Sequence, residues 1–85
     1  MTFLEALRAA RPLIESGETP FICHALKVVG GGEYKFRIEQ QLNGYSSYSA
    51  WLFAHHRAFY DGNRQGLRPG RLAWIDDMIQ KELGK

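Results

Sequence analysis

The sequence has one cysteine, three prolines and a net charge of only +2 at pH 7. A lone cysteine cannot form a disulfide within the chain, so Cys23 gives no indication of an oxidising compartment. No apolar run reaches the roughly 18 residues of a membrane span, and Glu5 and Arg8 interrupt the N-terminal segment where a signal peptide would need an apolar stretch. These absences predict a cytoplasmic protein that does not contact a membrane.

Patterns typical of metal sites or thiol chemistry are also scarce. Cys23-His24 and His55-His56 are adjacent pairs, and adjacent side chains on a helix point about 100 degrees apart, so neither pair can hold one metal ion well. We interpret Cys23 as a small hydrophobic residue packed near the core and the histidines as partly exposed. The sequence predicts no metal site, no cofactor and no enzymatic activity.

Two further patterns have structural explanations that we favour. The glycine run at 30–32 could suggest a phosphate-binding loop, but the Lys-Ser or Lys-Thr pair that completes such loops is missing, and glycine clusters ordinarily mark connections between helices. Asp76 and Asp77 could be a carboxylate pair, but neighbours on a helix diverge. We interpret both as solvated charges on the polar side of a helix.

The composition and the hydrophobic spacing indicate a small helical domain. Hydrophobic residues make up 45% of the chain and charged residues 24%, as in soluble globular domains. A chain of 85 residues is the size of one domain. The prediction is a single all-α domain over residues 1–85, a compact bundle of about four to five short helices with a long basic loop before the last helix.

The first helix has the clearest signals. Thr2 and Glu5 form a capping-box pattern, and apolar residues follow at helical spacing. Gly17 is the expected C-terminal stop, so the helix is predicted over residues 3–16. Pro12 lies inside this helix, where we expect a kink.

The other helices are predicted from residues that typically start or end helices. The second is predicted over residues 20–29, with Thr19 as N-cap and Pro20 at the first position. The segment 33–43 is ambiguous, because its apolar residues alternate as in a strand but also recur at i+4 spacing; we favour a helix, since a lone strand would have no partner. A fourth helix is predicted over 48–56, capped by Ser46 or Ser47.

The last helix is predicted over residues 71–83, with Leu72, Ile75, Met78, Ile79 and Leu83 on its apolar face. The inward positions of all the helices together define a core. Its predicted members are Leu7, Ile22, Leu26, Ile38, Trp51, Leu52, Ile75 and Ile79.

The positive charge of the chain is concentrated in one segment. Residues 57–71 carry a net charge of +3, whereas 1–56 are neutral and 72–85 carry −1. Arginine forks suit carboxylate or phosphate, and arginines and aromatics are enriched at interface centres. The alternative is a solubilising loop with its aromatics tucked underneath. The candidate partner-binding residues are Arg57, Phe59, Tyr60, Arg64, Arg68 and Arg71.

The order of three motifs resembles a known group of proteins. FICHAL at 21–26, QLNG at 41–44 followed by a serine-rich turn and WL, and RLAWIDDMI at 71–79 are similar to small uncharacterised accessory proteins of tailed bacteriophages and prophages. The resemblance covers roughly residues 13–83. It implies a phage protein acting in the cytoplasm of a bacterial host, and it implies no enzymatic activity.

Two functions of different classes remain open. In the first, the chain is a protein-binding module that engages an acidic surface of a host protein, such as a component of a defence system, and inhibits or redirects it. In the second, the basic loop 57–71 contacts nucleic acid. We rank protein binding first, because nucleic-acid-binding domains normally carry a larger positive surplus or a helix-turn-helix. The oligomeric state is left open.

Overall fold

The computed structural model describes residues 1–19, 21–42, 44–45, 48–60 and 68–85. Within these ranges the chain forms five α-helices and two short 3-10 helices, with no strand, so the predicted all-α bundle is confirmed. The radius of gyration is 12.0 Å, as expected for a compact domain of this length. The elements are α1 (Phe3–Ser16), α2 (Ile22–Val28), a 3-10 helix (Gly32–Tyr34), α3 (Lys35–Gln41), α4 (Tyr48–His55), a second 3-10 helix (Arg57–Phe59) and α5 (Arg68–Leu83).

Helix α1 has the bounds and caps that its sequence predicts. The Glu5 N–H donates to the Thr2 hydroxyl at 3.1 Å, and the Thr2 N–H donates to the Glu5 carboxylate at 2.7 Å, which completes the capping box. Gly17 ends the helix at φ 81°, a left-handed conformation that glycine adopts without strain. Pro12 lies inside the helix, and the kink expected there stays a prediction.

The core forms around α1, which packs against both α2 and α5. All eight predicted core residues are buried, so that prediction is confirmed. Trp74 is buried as well, and its ring meets that of Trp51 edge-on at 4.6 Å, which joins α5 to α4. The buried residues are Phe3, Ala6, Leu7, Ala10, Ile14, Ile22, Ala25, Leu26, Ile38, Trp51, Leu52, Trp74, Ile75, Met78 and Ile79.

The predicted start of α2 is wrong by two residues. The helix begins at Ile22, and Phe21 occupies the N-cap position without a capping side chain. Thr19, the expected N-cap, instead donates its N–H to the Leu13 carbonyl at 3.1 Å. Its backbone therefore completes the C-terminal end of α1. Pro20 lies outside the described residues.

The ambiguous segment 33–43 is helical, as favoured. It begins with the 3-10 helix at Gly32–Tyr34 and continues as α3, in which Ile38 is buried. Asn43, and Ser46 and Ser47 as candidate caps of α4, lie outside the described residues. The observed start of α4 at Tyr48 agrees with the prediction.

The last helix is longer than predicted, and this shortens the basic loop. Helix α5 begins at Arg68, three residues before the predicted start, and the second 3-10 helix covers Arg57–Phe59. Both ends of the predicted loop 57–71 are therefore helical. Leu83 was placed on the buried face of α5, but it is the last residue of the helix and its side chain is 49% exposed.

Two further observations concern burial and membranes. Cys23, interpreted from the sequence as packed near the core, is exposed, so that interpretation is wrong. Its neighbours Ile22 and Ala25 supply the buried side of α2 instead. Among the described residues, no helix is both long enough and apolar enough to cross a membrane.

Candidate partner-binding surface

Three exposed residues at the end of α4 and in the following turn form what we term the aromatic–arginine cluster: Phe53, Arg57 and Tyr60. The guanidinium carbon of Arg57 lies 4.6 Å from the centre of the Phe53 ring, within cation–π range. The Tyr60 ring meets Phe53 edge-on, with the centroids 5.3 Å apart and the planes at 82°. Two of the predicted binding residues, Arg57 and Tyr60, therefore contact Phe53.

Local backbone geometry brings these three side chains together. After α4 the His56 N–H donates to the Leu52 carbonyl at 2.7 Å, which extends the helical path by one residue. The Tyr60 N–H then donates to the Arg57 carbonyl at 3.0 Å, and residues three apart in a 3-10 helix lie above one another. His56 itself departs from helical geometry, with φ −142° and ψ 60°, so Phe53, Arg57 and Tyr60 meet where the chain bends between α4 and the second 3-10 helix.

The cluster is both apolar and positively charged at the surface. Phe53 is 48% exposed and Tyr60 is 39% exposed, although large aromatic side chains are usually more deeply buried. Arg57 is also exposed and has no carboxylate partner within the described part of the chain. The cluster therefore offers ring surface beside a guanidinium, whose planar set of hydrogen-bond donors suits a carboxylate.

Arg68 lies elsewhere, at the C-terminal end of α1. Its guanidinium donates to the Glu15 carbonyl at 3.3 Å and lies against Gly17. A cation at this position satisfies a carbonyl that has no partner within the helix and interacts favourably with the negative end of the helix dipole. Arg68 thus ties α5 to α1, a structural role that its place in a predicted loop did not indicate.

Arg71 is half-buried and contacts a different aromatic residue. Its guanidinium carbon lies 5.9 Å from the ring centre of Phe21, which in turn meets His24 edge-on at 6.1 Å. Arg64 lies outside the described residues. Phe59 contributes backbone to the second 3-10 helix, and its side chain also lies outside the described part.

The predicted binding residues therefore divide among separate environments. Arg57 and Tyr60 share the aromatic–arginine cluster, whereas Arg68 and Arg71 belong to the first turn of α5. The charge pattern does not point to Phe53, because this residue belongs to α4 and precedes the basic segment 57–71. Its i, i+4, i+7 spacing with Arg57 and Tyr60 is the sequence signal that could have included it.

His55, at the C-terminal end of α4, and His56, just after it, pack against neighbouring aromatic residues. His55 Nε2 lies 2.9 Å from the Tyr45 hydroxyl, so this pair ties residue 45 to α4. The rings of His55 and His56 lie 5.0 and 5.3 Å from Trp51. No group of three or more His, Cys, Asp or Glu side chains that could hold a metal ion occurs among the residues the structure describes.

Asp76 and Asp77, interpreted from the sequence as solvated charges, are partly exposed and also make defined contacts. Arg11 Nε lies 2.6 Å from one Asp76 oxygen and Arg11 Nη2 lies 3.1 Å from the other, a bidentate pair that joins α1 to α5. The hydrogen bonds to Asp76 raise the pKa of Arg11 above its ordinary value. Asp77 accepts from Gln41 of α3 and pairs with Lys81 at 3.3 Å.

A second polar contact between α3 and α5 involves Glu82. Its carboxylate pairs with Arg37 and accepts from Lys85 at 2.7 Å. The hydrogen bond from Lys85, followed by the charges of Arg37 and Lys85, holds the pKa of Glu82 below its ordinary value of 4.5. Arg37 also lies over the Phe3 ring at 4.7 Å. An open cleft of about 210 Å³ runs along these side chains, and its charged groups are largely paired with one another.

Comparison with known proteins gives no relative. No protein-family model matches the chain, and neither a curated protein nor a solved structure matches it. The resemblance to phage accessory proteins therefore stays a prediction.

Proposed function

We propose that this chain is a protein-binding module that uses the aromatic–arginine cluster to contact an acidic surface of a partner protein. The observation that carries the proposal is the Arg57 guanidinium stacked on the half-exposed Phe53, with no carboxylate partner among the described residues. A partner carboxylate would provide a counter-charge.

The geometry of the cluster supports binding in two ways. Arginine and tyrosine are among the residue types that contribute most to protein interfaces, and Phe53 adds apolar area that a partner would remove from water. The contacts among Phe53, Arg57 and Tyr60 restrict their side chains before any partner arrives. Less conformational freedom is then lost on binding, which favours affinity.

The resemblance to phage proteins extends the proposal to a setting. In this setting the chain acts in the bacterial cytoplasm, and the partner is a host protein, such as a component of a defence system, that binding inhibits or redirects. The chain acts by occupying a surface and not by catalysis.

Nucleic acid is the alternative partner and is less well supported by the cluster. Affinity for duplex DNA comes largely from several cationic contacts with phosphates. The cluster contains one arginine, and Arg68 is engaged with the end of α1. The nearby segment 61–67, which contains Arg64, lies outside the described residues.

The experiment compares baits that differ only at the cluster. The unaltered protein, Arg57→Glu and Phe53→Ser are used to capture proteins from a bacterial lysate, and the affinity for each captured protein is then measured at several salt concentrations. The control is Arg8→Glu, which reverses an exposed charge on α1 that has no ion pair among the described residues. Arg68 is left unchanged because charge reversal there would also disturb α1.

We expect Arg57→Glu and Phe53→Ser to weaken binding at least about tenfold and Arg8→Glu to leave it unchanged. Binding of the unaltered protein should weaken as salt rises. Equal affinity of Arg57→Glu and the unaltered protein for the captured partner would contradict the proposal. Titration with labelled single- and double-stranded DNA tests the alternative: tight, steeply salt-dependent binding to DNA without a captured protein would favour nucleic acid.

A further inference from the structure

A half-open pocket lies between α2 and the beginning of α3, beside the glycine turn and away from the aromatic–arginine cluster. Its volume is about 260 Å³. We propose that this pocket binds a small phosphate-bearing anion and that Lys27 and Lys35 are its charged ligands. The lining residues come from α2, the first 3-10 helix and α3, and they are Cys23, His24, Leu26, Lys27, Gly32 and Lys35.

The charge balance of the pocket carries this inference. Lys27 and Lys35 are exposed, and neither has an ion pair among the described residues. No Asp or Glu lines the pocket. By contrast, Lys81 on α5 and Lys85 just beyond it are each paired with a carboxylate. Two like charges at one concavity repel each other, and an anion between them interacts favourably with both.

The shape of the pocket suits a compact ligand with several oxygens. A single water needs only about 10 to 15 Å³ of such space, so 260 Å³ leaves room for phosphate or pyrophosphate. Gly32 lines one wall without a side chain, and a Cβ built there would lie 3.7 Å from the Lys27 Cα, so the turn lies beside the stem of this lysine. His24 adds a ring nitrogen as a further polar group.

A phosphate group fits this arrangement better than a single carboxylate. Lys27 and Lys35 approach from different helices, and a lysine ammonium binds phosphate as a compact point charge. A ligand with two or more negative charges can neutralise both ammonium groups at once. A monocarboxylate carries one charge and leaves the second lysine without a counter-charge.

Cys23 provides a built-in reporter of occupancy, because it lines the pocket, is exposed and is the single cysteine of the chain. The experiment measures the rate at which iodoacetamide alkylates the folded protein, with inorganic pyrophosphate, sodium acetate or sodium chloride at equal ionic strength. We expect pyrophosphate to slow alkylation saturably, by at least about threefold, because a bound anion limits the access of iodoacetamide to the thiol. Acetate and chloride should have no comparable effect.

The double variant Lys27→Gln/Lys35→Gln tests whether these two lysines bind the pyrophosphate. For each protein the ratio of rates with and without pyrophosphate is compared, so a changed baseline reactivity of the thiol does not affect the result. We expect the protection to disappear in this variant and to persist in Lys81→Gln/Lys85→Gln, which removes the same amount of charge from the C-terminal end of the chain. Circular dichroism checks that both variants remain folded.

Three results would each overturn the inference. These are no saturable protection by pyrophosphate, equal protection by chloride at the same ionic strength, and undiminished protection in Lys27→Gln/Lys35→Gln. The variant Arg57→Glu should keep full protection, because the pocket and the cluster share no residue. If pyrophosphate does not bind in this pocket, the protein-binding proposal is therefore unaffected.

Discussion

At the scale of single residues, two of the three consecutive glycines have a structural reason to be glycine, and the two reasons differ. Gly30 has φ 87°, which side-chain-bearing residues rarely adopt. Gly31 is buried against α1, and a Cβ at this position would lie 2.7 Å from the Ala6 Cβ. Gly32 has room, since its Cβ would meet nothing closer than 3.7 Å. The turn is therefore a close contact between α1 and the end of α2, more than a flexible connection.

This difference predicts opposite outcomes for two matched substitutions. Gly31→Ala should lower the free energy of unfolding by about 1 to 3 kcal/mol, because the new methyl overlaps Ala6 and neither backbone can move without disturbing the core. Gly32→Ala, which adds the same methyl one residue later, should change it by less than about 0.5 kcal/mol. Urea unfolding followed by circular dichroism measures both. Equal destabilisation by the two variants would show that the Ala6 contact is not the cause.

Trp74 is the buried residue of α5 that a choice based on its other apolar residues leaves out. The buried face of α5 contains Trp74 and Met78 as well as Ile75 and Ile79, whereas Leu83 is half-exposed. Assigning the face from the aliphatic residues gave most of the core correctly. It omitted Trp74, although Trp74 and Met78 are four residues apart and belong to the same helical face, and the structure adds that the Trp74 ring packs edge-on against Trp51.

At the scale of elements, the types of all five helices were predictable and two helix starts were not. The segment Arg68-Pro69-Gly70 has turn chemistry in its sequence, yet proline is tolerated in the first turn of a helix, where its missing N–H costs nothing. The buried Gly70 and the contact of Arg68 with α1 place this segment in α5. Both are long-range interactions that local sequence signals do not contain.

Helix α3 has seven residues, fewer than an isolated helix needs to be stable in water, so its stability must come from docking. Its single buried residue is Ile38. Two polar contacts add to this small apolar contribution, namely Arg37 with Glu82 and Gln41 with Asp77. The Glu82 side chain is only 15% exposed, so its pairing with Arg37 is less screened by water than a surface ion pair.

We therefore expect Glu82→Gln to loosen α3 more than the rest of the bundle. Removing the charge while keeping the shape should cost about 1 kcal/mol and raise the hydrogen-exchange rates of α3 amides roughly fivefold. Amides in the middle of α1 should change less. The control is Glu39→Gln, which removes an exposed carboxylate of α3 that has no ion pair among the described residues. If Glu39→Gln had the same effect, the contact between Glu82 and Arg37 would not be what holds α3.

At the scale of the whole molecule, the sequence located the positive segment but not how its residues are distributed. Residues 57–71 carry a net charge of +3, and two of the candidate binding residues in this segment, Arg57 and Tyr60, both contact Phe53. Phe53 and the capping role of Arg68 depend on where α4 ends and where α5 begins. The lysine pocket depends on the packing of α2 against the start of α3, and two lysines eight residues apart give no local signal of it.

Two carboxylates, those of Glu5 and Glu82, make the stability of the fold depend on pH in the same direction. The pKa of Glu5 lies below its ordinary value of 4.5, chiefly because the backbone N–H of Thr2 donates to it, and the pKa of Glu82 is also lowered. A lowered pKa in the folded state means that folding favours the charged form. The resulting stabilisation is fully present above pH 4.5 and is lost as the pH falls through the folded-state pKa values.

The midpoint of thermal unfolding should therefore be nearly constant from pH 7 to about pH 5 and fall below that. The double variant Glu5→Gln/Glu82→Gln should melt at a lower temperature than the unaltered protein at pH 7, and the difference should shrink as the pH approaches 3, because the unaltered carboxylates then become neutral as well. Glu18→Gln/Glu33→Gln removes two exposed carboxylates that make no ion pair in the described ranges, and it controls for the change in net charge. A difference between the first variant and the unaltered protein that stayed constant from pH 7 to pH 3 would mean that lost packing, and not lost charge, accounts for the destabilisation.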